Sequence, residues 1–202
     1  MPGEKFQRKR IIWYSINMEE NLNLQRNLKA QQTAEKSVND FLDRYHFTRT
    51  FPLNFVTLAD KIGGFRIYYL SDKNDFFNKA VGAFSPIAKR FAIHPRFNID
   101  RWHFLMGRYI LAKLFAHYAL RNIELGKIWV EMDNSYRPKE DLACNEETAN
   151  FAFELLMPAV EFKHQWKLLG KDVKKIAQYF EVPEFKVTER ILFLGLNNDQ
   201  QN

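Results

Sequence analysis

His117 lies in the stretch RYILAKLFAHYAL, residues 108–120, within a proline-free, largely apolar segment. A zinc peptidase of the H-E-x-x-H type needs two histidines four residues apart, so that both imidazoles share one helix face. It also needs a glutamate directly after the first, to take a proton from the metal-bound water. Here only His117 stands where a ligand should. His103 precedes it by 14 residues and falls on a similar face, but a rise of 1.5 Å per residue puts it about 20 Å away along the helix. His46, His94 and His164 have no spacing that argues for ligation. A lone histidine beside Phe115, Ala116 and Tyr118 reads most simply as a core or hydrogen-bonded residue.

No other reaction is written into the chain. It has no glycine-rich phosphate loop, no nucleophile elbow, and no cysteine–histidine signature. Ser15, Ser37, Ser71, Ser85 and Ser135 occupy ordinary settings.

The elements around His117 follow from apolar spacing. Ile99–Arg121 keeps a stripe through Phe104, Leu105, Tyr109, Ala112, Phe115, Ala116, Ala119 and Leu120, which predicts a long, mostly buried helix. Upstream, Ala34, Val38, Phe41, Leu42 and Tyr45 mark an amphipathic helix over Ala30–Phe47. Val56, Leu58, Ala59 and Ile62 mark a short helix that Gly63 or Gly64 can end in the left-handed conformation. FRIYYL (65–70), AVGAF (80–84) and RFAIH (90–94) are rich in β-branched and aromatic residues and divided by turn-formers. They predict a small three-stranded antiparallel sheet. Residues 122–145 read as an irregular connection, followed by a helix from Asn145 or Glu146 to Pro158 and another through Phe162, Trp166 and Leu169. Val173, Ile176, Ala177 and Phe180, a break at EVPE, and Val187, Ile191 and Leu194 give two short helices in a helix-turn-helix outline.

The 202 residues suffice for one domain with its own core, and 19 phenylalanines predict an aromatic-rich interior. The net charge of +6 admits nucleic acid or an acidic partner surface, although the 30 basic residues are interleaved with 24 acids. One cysteine, Cys144, excludes an internal disulfide and suits a reducing cytosol. The basic start turns polar too soon for a signal peptide, and no apolar run approaches the roughly 18 residues of a membrane span. A cytoplasmic protein is expected.

Taken together, VTLADKIGGFRIYYL, KRFAIHPRFN, RYILAKLFAHYAL, EETANFAFELLMP (146–158) and VKKIAQYFEVPEFKVTERI resemble the ImmA/IrrE metallopeptidases over roughly Pro52–Leu196. The resemblance implies an α+β, helix-rich, zincin-like fold, and a partner that is a helix-turn-helix repressor, as in relatives from mobile elements and stress responses. It places His117 at the second histidine of H-E-x-x-H and Glu146 at the glutamate ligand of the later helix. The first histidine's position holds Lys113, and that of the catalytic glutamate holds Leu114. A lysine with an ordinary pKa near 10.4 repels a cation, and leucine moves no proton. Cys144 suits zinc chemically, but it is two residues from Glu146 and would face elsewhere on one helix.

The sequence therefore predicts a pseudopeptidase with no catalytic residue, no metal and no cofactor. Lys113, Leu114, His117 and Glu146 form a vestigial site, with Lys113 standing in for the cation against Glu146. Two alternatives stay open: an active zinc peptidase with rearranged ligands, and a DNA-binding regulator using the terminal helices and the basic stretch EKFQRKR. In the terminal pair, Glu184 and Glu189 beside Lys186 and Arg190 favour contact with protein over phosphate. The expected organisation is a basic helical arm (1–50), a degenerate zincin-like domain (51–158) and helix-turn-helix-like helices (159–202) packed on the same body.

Overall fold

A computed structural model of the chain describes residues 3–69, 80–120, 129–132 and 142–196. The first helix, α1 (Gly3–Arg44), is 42 residues long and begins well before the expected Ala30. Between residues 4 and 44 the chain has neither glycine nor proline and many Glu, Gln, Lys, Arg and Leu residues, so nothing interrupts the helix once it has started. Its last turns bury Ala34, Val38, Phe41 and Leu42. The short helix α2 (Phe55–Lys61) is capped by Asn54, whose side chain accepts from the Thr57 amide at 3.0 Å. Gly63 and Gly64 then take positive φ, +133° and +73°, where the helix turns into the sheet.

Strands β1 (Arg66–Tyr69), β2 (Ala80–Ser85) and β3 (Arg90–Ile93) form where the β-branched and aromatic residues between turn-formers predict them. The sheet is nonetheless mixed and four-stranded, in the order β1-β3-β2-β4, which corrects the three-stranded antiparallel expectation. β1 runs parallel to β3, with Ile67 opposite Phe91, while β2 is antiparallel to both β3 and β4. Phe65, at the mouth of β1, packs its ring 5.2 Å from that of Phe91 and so draws β1 beside β3. The fourth strand, β4 (Trp129–Met132), lies inside the segment expected to be irregular, and residues 122–128 and 133–141 of that segment lie outside the described residues.

A 3-10 turn (Pro95–Asn98) leads into α3 (Arg101–Leu120), which crosses the sheet and then packs against α4 (Leu142–Leu156). Phe115 of α3 sits at the centre, stacked on Phe91 at 4.4 Å and close to Phe55 and Phe41 at 5.5 and 6.5 Å. Three helices close the structure: α5 (Ala159–Leu168), α6 (Val173–Phe180) and α7 (Glu184–Phe193). One hydrophobic cluster runs from Val38 through the sheet and α3 to Ile191. Among the described residues no helix is long and apolar enough to cross a membrane.

Candidate functional site

The helix that carries the site is fixed at its start by Asp100. Its carboxylate accepts from the His103 amide at 2.9 Å and meets the His103 ring at 2.9 Å. These two hydrogen bonds hold the Asp100 carboxyl below its ordinary range. A turn later, a side chain at Gly107 would meet Phe97 at 2.9 Å, so glycine lets α3 lie directly on the 3-10 turn. The helix therefore enters the core with a set direction and buries Tyr109 through His117 without a break.

Lys113 and His117, one turn apart, are each 7% exposed, and Leu114 is completely buried. Leu114 is sealed under β2. A Cβ built on Gly82 would come within 3.1 Å of a Leu114 methyl and 3.0 Å of Ile110, so that glycine is what lets the strand approach. The position where the resemblance puts a proton-accepting glutamate is thus an apolar contact closed to water.

Glu146 lies on the first half of α4 and is turned outward, with its side chain 53% exposed. It accepts from the Arg26 guanidinium of α1 at 3.0 Å. The pairing expected between Lys113 and Glu146 is thereby replaced by one between Arg26 and Glu146. The reason lies in α1, whose turns before the expected start run alongside the start of α4 and bring the Arg26 guanidinium to Glu146. An open cleft of about 370 Å³ between Lys29, Ala30 and Thr33 of α1 and Glu146, Glu147 and Asn150 of α4 marks this junction. Of the four residues grouped in sequence, three are held together on α3, and Glu146 faces α1.

The remaining histidines are dispersed. His103 is bound to Asp100, the His94 ring accepts from the Arg96 amide at 3.1 Å, His46 follows α1, and His164 is exposed on α5. Among the described residues, no three of His, Cys, Asp and Glu come together as metal ligands. The side chain of Cys144 lies outside the described residues, as do those of the EKFQRKR stretch.

A charged centre that the sequence reading missed lies at the far end of α4. Glu154 and Arg190, 2% and 1% exposed, form a buried ion pair. Glu154 also accepts from the Ala159 amide, and Arg190 donates to the Met157 carbonyl at 3.1 Å. Arg49 donates to the Glu154 carbonyl at 2.9 Å. Burial pushes the Glu154 carboxyl up, and Arg190 opposes that shift. The signal was present in FAFELLM, a single acid within an apolar run. Arg190 thus faces inward and is not a surface cation. Lys186 is committed as well: its amine pairs with Glu189 at 2.8 Å and lies 4.2 Å over the Tyr109 ring.

Comparison with known proteins bears on these same elements. The family model for the IrrE N-terminal-like domain matches residues 107–192, from the middle of α3 through α7. A solved Mycobacterium tuberculosis transcriptional regulator is similar at 17% identity and a TM-score of 0.45, over 83% of this chain and 48% of that one. The chain thus spans about half the length of that regulator. A search of the curated proteins finds no match. Over residues 107–192 the chain is similar to the IrrE N-terminal-like domain, and of the motifs that resemble the ImmA/IrrE proteins, RYILAKLFAHYAL, EETANFAFELLMP and VKKIAQYFEVPEFKVTERI fall within that match.

Proposed function

We propose that this chain is a catalytically inactive ImmA/IrrE-like protein that binds a helix-turn-helix transcriptional repressor, as an antirepressor or regulatory partner of a mobile element. The observation that carries this reading is the pair of buried residues Lys113 and Leu114 at the first-ligand and general-base positions. A catalytic zinc is held by three protein ligands and keeps one place for water. The donor set here does not fit one: a lysine replaces one imidazole, Arg26 engages the Glu146 carboxylate, and Leu114 closes the place of the base. Binding to protein rather than DNA is supported by α7, where Arg190 is buried against Glu154 and Lys186 lies against Tyr109.

Co-expression with the repressor of the same genetic element tests the proposal. The expected result is intact repressor co-purifying with the chain. Cleaved repressor that becomes intact again with His117→Ala would instead support an active peptidase with rearranged ligands. Binding to duplex DNA that weakens steeply with salt would support the direct regulator, because each phosphate contact adds to the slope.

A further inference from the structure

The α6–α7 turn is pinned to the first turns of α3. Glu181, left-handed at φ +52°, pairs with Arg101 at 3.2 Å, and Arg108 donates to its backbone carbonyl at 3.0 Å. Between these elements lies a groove of about 660 Å³. Leu105, Ala177 and Val182 line it, and Trp102 and Phe185, 54% and 41% exposed, stand along it. Two large aromatic side chains left in water beside one apolar groove are the composition of an interface core rather than of a solvated surface. The groove is preformed, because the Glu181 contacts fix both of its walls.

Its rim has a polarity. Lys174 stands on the α6 wall, makes no ion pair among the described residues, and is followed by Lys175. The nearby Asp172 carboxylate is occupied by the Lys174 and Lys175 amides at the helix cap. Glu184 stands on the α7 wall. We propose that this groove docks an amphipathic helix of a partner protein, with its apolar stripe against Trp102 and Phe185 and an acidic flank against Lys174. The inference deepens the protein-binding reading above and rests on it.

The test is selection of displayed helical peptides against the full chain, followed by fluorescence anisotropy of the enriched peptides. The groove predicts an apolar stripe at helical spacing with Asp or Glu along one flank. Trp102→Ala, Phe185→Ala and Lys174→Glu should each weaken binding at least tenfold while the thermal melt is unchanged, and Glu184→Lys should not weaken it. Enriched peptides that bind these variants as well as the wild type, that carry basic flanks, or that fail to emerge would overturn it. So would a dimer abolished by Trp102→Ala. Repressor captured equally by wild type and Trp102→Ala overturns the groove and leaves the binding reading standing. Acidic peptides bound with no repressor captured would do the reverse.

Discussion

Glu154 and Arg190 are each almost wholly removed from water, so removing either one strands the other. Glu154→Ala and Arg190→Ala should each lower stability by about 3 kcal/mol. The double mutant should lose much less than the sum, because the stranded charge is then gone. Urea denaturation of the four proteins checks this, and additive losses would contradict the coupling. A second residue-scale expectation concerns Gly82, where an added methyl meets Ile110 and Leu114. Gly82→Ala should cost about 1–3 kcal/mol as overpacking, read from the same denaturation midpoints. At this scale the sequence made Lys113, Leu114 and His117 legible because three positions on one helix share a fixed geometry. The direction of Glu146 was not legible, since it depends on which neighbouring helix brings a cation, and that cation is Arg26, 120 residues away.

The helices were largely legible, because apolar spacing and capping residues are local. α2 ends at its glycines, α5 begins after Pro158, and α6 begins after Asp172, as their residue types require. The sheet was less so. Four-residue strands are too short for alternation to reveal direction, and β4 has only WVEM to announce it. One cap gives a pH prediction. The Asp172 carboxyl is held below its ordinary 3.8, chiefly by the Lys175 amide. A carboxyl lowered in the folded state contributes stability above its unfolded pKa and loses it as pH falls through the folded value. Wild-type stability should therefore fall on acidification below about pH 4 more steeply than that of Asp172→Ala, by urea midpoints compared across that range. Parallel acid limbs would show that the cap carries no such linkage.

At the scale of the molecule, the end of α1 is part of the core rather than an appendage. Phe41 packs 5.9 Å from Phe151 of α4 and 6.3 Å from Tyr118 of α3, and Val38 and Leu42 are buried beside it. A chain starting at residue 51 loses all of these contacts, and each large apolar truncation in a core costs about 2–5 kcal/mol. That fragment should show no cooperative thermal unfolding, and a melt near that of the full chain would contradict the single core. The resemblance in sequence starts near Pro52 and gave no hint of this. Such packing is a long-range pairing, invisible to spacing within one helix.

The central claim is that the α3 site has exchanged metal chemistry for packing, and zinc stoichiometry of the full chain tests it most directly. Protein purified without chelator and dialysed against excess zinc should hold far less than one ion per chain, with no change in His117→Ala. One zinc per chain that is lost in both His117→Ala and Glu146→Ala would contradict the account.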